Sequence, residues 1–198
     1  MTDTGTVIPV QVLRGARRTM DLRGRGWSIL VLTASLLAGG HLPNASASVR
    51  EADDTGFHLL REAQVASDVD AVWSALVGDV GRWWPAAHTY SGASENLTID
   101  ARPGGCFCEA LPGGGVEHLR VAVVWPGREL RMLGGLGPLQ PLGVGGALSV
   151  QLTALDAGGT RVRFEYRVSG RGLDGWAEPV DGVIGEQLDG LVAFLAAR

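Results

Sequence analysis

The residues best suited to acid–base chemistry are His88 and Tyr90, which follow a Trp-Trp-Pro turn at 83–85. An imidazole titrates near neutral pH and can therefore act as a general acid or base. In one interpretation His88 carries a proton while Tyr90 or Ser91 hydrogen-bonds a ligand carbonyl. In the other, His88 lies on the surface and Tyr90 is packed against the protein. The sequence leaves both interpretations open.

The two cysteines, Cys106 and Cys108, are separated by one residue. On a strand this spacing directs both thiols to one face and places their Cα atoms about 6.6 Å apart, twice the rise per residue. That distance is at the long end of the range for a disulfide, and the orientation is poor. We therefore expect two free thiols that face the core or a cavity.

A metal site built on these thiols would need His118 on the same face of the sheet. If the hairpin between the two strands centres on residues 113–114, Cys108 lies opposite Leu119 and Glu109 lies opposite His118. His118 is then on the outer face, paired with Glu109. This register predicts no metal site, although a slip of one residue would bring His118 opposite Cys108 and keeps a Cys₂His site as an alternative.

Several classes of function are excluded or disfavoured. All 17 basic residues are arginine, so chemistry that needs a lysine amine, including Schiff bases and the P-loop lysine, is excluded. The chain has no Gly-x-Ser-x-Gly or His-Glu-x-x-His motif, and the glycines at 134–146 complete no dinucleotide-binding motif. A net charge of −4 without a basic run after the first quarter argues against nucleic acid. We predict no cofactor and a small-molecule partner.

The first 47 residues have the three parts of a secretory signal peptide. Five arginines between Arg14 and Arg25 precede an uncharged stretch at 26–42, and Ala45-Ser46-Ala47 offers a cleavage site. The most apolar part, residues 27–38, is shorter than the roughly 20 residues of a transmembrane helix. We predict export to the periplasm or beyond after cleavage near Ala47, without stable membrane insertion of the remaining domain. Met20 is an alternative start, an uncleaved N-terminal membrane anchor is the alternative outcome, and the export route stays open.

Beyond residue 47 the pattern predicts one α+β domain. Residues 48–56 are polar and are expected to form a flexible lead-in. Period-two alternation predicts a strand at 57–65, and helical spacing then predicts a helix at 69–78 that Ser67 caps. A second, short helical turn ends at Pro85. Six more strands are predicted at 97–101, 106–110, 118–125, 129–133, 147–155 and 160–168.

The last segment returns to a period of 3.6 and predicts a long terminal helix. Its apolar stripe comprises Val180, Ile184, Leu188, Leu191 and Leu195. Three glycines, Gly182, Gly185 and Gly190, interrupt it at a cost of about 1 kcal/mol each relative to alanine. We expect them where the helix approaches the sheet closely or leaves space over a cavity. The space between a curved antiparallel sheet and such a helix is a usual small-molecule site.

Five segments in this order resemble the START-like, or birch-pollen-allergen-like, helix-grip superfamily (SRPBCC). They are residues 65–73 at the first strand-to-helix step, 82–85, 88–92, 103–109 and 135–139, followed by the terminal helix. The resemblance covers residues 57–198 approximately and includes the polyketide cyclase/dehydrase and heat-shock-ATPase-activator branches. It implies a curved antiparallel sheet of six to seven strands, two short helices after the first strand, and a long C-terminal helix across the sheet.

The resemblance also implies a hydrophobic or amphipathic ligand between the sheet and the C-terminal helix. The residues predicted near that ligand are Trp83, Trp84, His88, Tyr90, Cys106, Cys108, Phe164 and Tyr166. Because Trp83 and Trp84 are adjacent, we expect one in the core and the other at the pocket, and we expect Trp125 in the core. The alternative function is a cyclase or dehydratase in the same cavity, with His88 and Tyr90 as catalytic residues. The oligomeric state and the ligand stay open.

Overall fold

The computed structural model describes residues 48–198 of the protein. The predicted signal peptide, with its alternative start at Met20 and its cleavage site at Ala47, lies outside the described residues and stays a prediction. The described strands are β1 Val49–Asp53, β2 Gly56–Val65, β3 Leu97–Ile99, β4 Cys106–Leu111, β5 Gly114–Trp125, β6 Glu129–Leu133, β7 Gly145–Ala154 and β8 Thr160–Ser169. The α-helices are α1 Val69–Gly78, α2 Val80–Trp83 and α3 Ala177–Ala196, and 3-10 helices span Ala86–His88, Ser94–Asn96 and Gly137–Leu142.

These strands form one antiparallel sheet in the order β1-β2-β8-β7-β6-β5-β4-β3. Strands that are consecutive in the chain are neighbours in the sheet, except for β2 and β3. The last strand, β8, lies beside β2, and helices α1 and α2 together with β3 form the connection from β2 to β4. The long helix α3 packs against β2. The predicted α+β class and helix-grip arrangement are confirmed.

The sheet has one strand more than the six to seven predicted, because residues 48–56 do not form a flexible lead-in. Val49–Asp53 is an edge strand that pairs with β2, and four of its five residues are exposed. An edge strand that is held by backbone hydrogen bonds needs no apolar alternation, so the polar sequence of this segment gave no signal for a strand. The Ser48 hydroxyl just before it also donates to Asp181 on α3.

The predicted faces of the last strand are confirmed. Along β8 the buried side chains are Val162, Phe164, Tyr166 and Val168, and they alternate with Arg161, Arg163, Glu165 and Arg167 on the other face. The buried face lies toward the apolar stripe of α3, whose residues Ile184, Leu188 and Leu191 are also buried. This contact of the helix with the sheet is the main core of the domain.

Two glycines of α3 lie where the helix approaches its neighbours closely: Gly185 faces the sheet, as predicted, whereas Gly190 faces α2 and not the sheet. A Cβ atom on Gly185 would lie 2.8 Å from the guanidinium of Arg61 on β2, and one on Gly190 would overlap the carbonyl oxygen of Trp83. Arg61 in turn donates to Asp181 on α3 through Nε at 2.9 Å. A Cβ atom on Gly182 meets nothing within 4 Å. Space therefore excludes a side chain at Gly190, whereas at Gly185 the Arg61 guanidinium would have to shift.

The prediction of free cysteines is wrong: Cys106 and Cys108 form a disulfide, with their Cα atoms 5.3 Å apart. The prediction assumed a fully extended strand, whereas the chain is contracted where the β4–β5 ladder shifts register. Phe107 lies opposite Leu119 but Cys108 lies opposite Glu117, so His118 is an extra residue in β5. The thiols were also predicted on the apolar face, but that face carries the buried Phe107, and both cysteines are only partly buried on the other.

Trp125 does not belong to the core, contrary to the prediction. It ends β5 at the turn before β6 and is 53% exposed, with the guanidinium of Arg128 stacked 3.7 Å from its ring. Alternation along the strand therefore did not decide its burial.

Candidate functional site

A cavity of about 400 Å³ opens between the start of α3, the segment after α2 and the loop that joins β6 to β7. Its lining residues are Trp84, Ala87, His88, Thr89, Tyr90, His118, Leu136, Gly137, Pro138, Trp176, Pro179, Val180, Val183 and Gln187. Most of these side chains are aliphatic or aromatic, which is typical of pockets for small organic molecules. The polar side chains among them are few and are therefore the ones that can select a ligand.

The wall formed by the β6–β7 loop is held in place by a buried tyrosine of the sheet. The Tyr166 hydroxyl accepts a hydrogen bond from the Leu136 amide at 2.8 Å and donates to the Gly134 carbonyl at 3.0 Å. Burial raises the pKa of Tyr166 to about 12 despite the opposing effect of the Leu136 amide, so the hydroxyl stays protonated. A Cβ atom on Gly146 would overlap the Gly134 carbonyl oxygen and lie 3.0 Å from this ring, so glycine makes room for both.

The adjacent tryptophans divide as expected between the core and the cavity. The Trp83 indole is buried and donates to the Ala75 carbonyl in α1 at 2.9 Å. The Trp84 ring lines the cavity, meets Phe107 edge-on at 4.9 Å and donates to the His88 carbonyl at 3.1 Å. Helix α2 ends at Trp83, and Pro85 then leads the chain into the 3-10 helix Ala86–His88 at the cavity wall.

His88 and Tyr90 lie at the rim of the cavity. His88 Nε2 is 2.7 Å from Glu186 Oε2 on α3, and this glutamate is mostly exposed. Tyr90 is 55% exposed, and its hydroxyl donates to the Gly137 carbonyl at 3.4 Å. Both contacts join the segment after α2 to another wall of the cavity, at the edge rather than the floor.

A buried carboxylate–imidazole pair lies behind the rim, where the sequence placed an exposed one. Glu109 Oε2 is 2.9 Å from His118 Nε2, and both residues are almost fully buried. The predicted outer position of His118 is wrong, because the bulge in β5 turns its ring to the apolar face, between Phe107 at 5.0 Å and Tyr90 at 5.8 Å. The predicted pairing with Glu109 is confirmed.

Glu109 also holds the chain at the rim. It accepts the backbone amides of Tyr90 at 2.9 Å and Ser91 at 2.5 Å. Burial by itself raises the pKa of Glu109, but the hydrogen bonds from Ser91, from the Tyr90 amide and from His118 outweigh it and lower the pKa to about 2. The carboxylate is therefore ionised at neutral pH and places a fixed negative charge behind the cavity wall.

Gln187 is the polar residue that the sequence analysis missed. It lies on α3, lines the cavity and is 1% exposed. Neither its Oε1 nor its Nε2 has a hydrogen-bond partner among residues 48–198. The signal for its burial was present in the sequence, because Gln187 falls on the same helical face as Ile184 and Leu191.

The eight predicted ligand-binding residues are distributed over three places. Trp84, His88 and Tyr90 line the cavity. Trp83, Phe164 and Tyr166 are buried in the core and do not line it, and Cys106 and Cys108 lie in a disulfide on the other face of β4. Tyr166 contributes to the site indirectly, through the loop that it holds. His118, Trp176 and Gln187 line the cavity without having been predicted.

Across residues 48–198 no cluster of three or more His, Cys, Asp or Glu is suitably arranged for a metal ion. Over the same range no helix has both the length and the apolar character to cross a membrane.

No family model and no curated protein matches this sequence. Solved structures do: protein MLL2253 from Mesorhizobium loti has a TM-score of 0.53 and 17% identity, over 71% of this chain and 97% of that one. The Aha1 dimer from Colwellia psychrerythraea has a TM-score of 0.51 and 16% identity, over 70% and 95%. DynU16, a protein in the dynemicin biosynthetic locus, has a TM-score of 0.50 and 19% identity, over 73% and 48%. The chain shares the fold of these helix-grip proteins.

Proposed function

We propose that the protein is an exported binder of a hydrophobic or amphipathic small molecule, which occupies the cavity between α3, the segment after α2 and the β6–β7 loop. The observation that carries this proposal is the cavity of about 400 Å³ with mostly apolar walls. That volume lies within the range of about 300–1,000 Å³ that is usual for small-molecule pockets. A ligand there would contact the rings of Trp84 and Trp176.

The construction of the walls supports binding at this site. The loop wall is tied to the sheet by Tyr166, and the rim is tied to β4 by the ionised Glu109. A cavity that is already formed requires little ordering of the chain when a ligand enters, which favours affinity. The fold is shared with MLL2253, the Aha1 dimer and DynU16, and a fold by itself determines neither a ligand nor a reaction.

The test is native mass spectrometry of the protein purified from its own host, with detection of a small molecule that co-purifies. A Val183→Phe variant fills the cavity wall, and Ala193→Phe adds the same ring at an exposed position of α3. We expect the ligand to be lost from the first variant and retained by the second. Protein that carries no ligand and binds no apolar fluorescent probe would refute the proposal.

The exported location is part of this proposal and rests on the pattern of residues 1–47. N-terminal sequencing of the protein from the culture medium or periplasm should then begin close to Ser48. A sequence that begins before Trp27 would mean that the segment is not removed.

A second candidate is a cyclase or dehydratase that uses the same cavity. It is favoured by the histidine–carboxylate pair His88–Glu186 at the rim, at 2.7 Å, since a paired imidazole is a usual proton carrier. A His88→Ala variant distinguishes the candidates when the co-purifying molecule is used as ligand and substrate. A binder keeps most of its affinity, whereas an enzyme loses turnover by roughly 10²–10⁴-fold.

A further inference from the structure

The carboxamide of Gln187 is the one side chain of the cavity whose polar atoms are fully buried without a partner in the described residues. A buried amide without hydrogen bonds is costly, so native proteins rarely retain one unless it has a role. Leucine would fill similar space on the same helix without that cost. The position is therefore unfavourable for the free protein and becomes favourable once a ligand supplies both a donor and an acceptor.

We propose that Gln187 is the polar anchor of the cavity, and that the ligand is an apolar molecule with a neutral amide or lactam group. Such a group has an acceptor oxygen beside a donor N–H, which matches Nε2 and Oε1 of a glutamine side chain in a two-bond pair. This inference rests on the proposed function, because it names the chemistry of the ligand that the cavity would hold.

The charges around the cavity argue for a neutral head group over an ionised carboxylate. The lining residues include no arginine, and His88 and His118, the lining residues that can carry a positive charge, each already face a carboxylate. His118 in the wall already contacts Glu109, whose pKa is lowered to about 2 and which is therefore negative. An anionic head would be repelled by that charge and would offer Gln187 Oε1 no donor. A neutral amide avoids both penalties.

The apolar part of the ligand follows from the other walls. Trp84, Trp176 and Val183 surround the cavity with rings and aliphatic groups that suit an alkyl chain or a fused ring. The anchor then decides which apolar molecules bind tightly, since hydrophobic contact alone discriminates weakly between molecules of equal size.

The test compares three probes with the same chain length: decanamide, methyl decanoate and decanoate. Affinities are measured by tryptophan fluorescence and calorimetry at pH 7 for the wild type, for Gln187→Leu and for Gln64→Leu, which changes an exposed glutamine on β2. We expect the wild type and Gln64→Leu to bind decanamide about 10- to 100-fold more tightly than methyl decanoate, with decanoate the weakest.

In Gln187→Leu this preference should disappear, with methyl decanoate bound as well as before or better. The thermal midpoint of the free variant should also rise, because an unpartnered amide has been removed from the interior. If the wild type binds all three probes equally, or if Gln187→Leu lowers the midpoint and keeps the preference, the anchor is refuted while the cavity remains a binding site. If the wild type binds no probe, both the anchor and the proposed function fail.

Discussion

The hydroxyl of Tyr166 on β8 accepts the amide of Leu136 at 2.8 Å, and this contact joins the centre of the sheet to the loop that walls the cavity. The two residues are 30 positions apart in the chain, and both are buried. The same hydroxyl donates to Gly134 at 3.0 Å, so it serves both ends of one short loop segment.

A Tyr166→Phe substitution should lower the free energy of unfolding by about 1–3 kcal/mol, because the buried Leu136 amide loses its acceptor. Urea denaturation measures this, with Tyr90→Phe as control. The Tyr90 hydroxyl is on an exposed residue with a long contact of 3.4 Å, so its loss should change stability by less than about 0.5 kcal/mol. Equal effects of the two substitutions would contradict the anchoring role of Tyr166.

The stability of the domain should fall in acid because of Glu109. Its pKa is lowered from 4.5 to about 2 in the folded protein, so its contribution is complete above pH 4.5 and is lost as the pH falls toward 2. We expect the stability advantage of the wild type over Glu109→Gln to shrink across this interval. Urea midpoints measured from pH 7 to pH 2 test it, with the exposed Glu95→Gln as control. An advantage that does not depend on pH would mean that the carboxylate charge is not what stabilises the rim.

Two glycines of α3 should respond oppositely to alanine. Gly182→Ala meets open space and should stabilise the protein by about 1 kcal/mol, through the higher helix propensity of alanine. Gly190→Ala would place its methyl group against the Trp83 carbonyl and should destabilise by about 1–3 kcal/mol. Thermal unfolding of both variants is a matched comparison, and stabilisation by Gly190→Ala would show that α3 does not lie close to α2.

The Cys106–Cys108 disulfide should block both thiols from alkylation until a reductant is added. Mass spectrometry of iodoacetamide-treated protein, with and without reduction, measures this. Because the bond closes a very short loop, its loss in a Cys106→Ser, Cys108→Ser double variant should cost only about 2 kcal/mol or less. Labelling of both thiols in unreduced protein would restore the original prediction of free cysteines.

Much of the fold could be predicted because the signals for it are local. The alternation of Val162, Phe164, Tyr166 and Val168 placed the buried face of β8 correctly. The edge strand Val49–Asp53 had no such signal, since its stability depends on backbone pairing with β2. The prediction of a buried Trp125 fails because this residue ends β5 at a turn, where alternation along the strand no longer indicates burial.

The candidate site was predicted less well, because it depends on register and on distant contacts. The hairpin between β4 and β5 appeared regular in the sequence, but the extra residue at His118 changed both the burial of the Glu109–His118 pair and the spacing of the cysteines. Gln187 lies within an apolar helical stripe, and the sequence does not show whether the amide of a glutamine there has a hydrogen-bond partner.

The sequence by itself determined the order of elements from β2 to α3, the buried faces of β8 and α3, and the absence of lysine chemistry, because these depend on composition and on short-range periodicity. Only the tertiary structure decided which residues surround the cavity. Residues far apart in the chain, such as Tyr166 and Leu136 or Glu109 and Tyr90, make the hydrogen bonds that hold its walls. Long-range strand register sets those contacts, and a shift of one residue in register changes which side chains share a face.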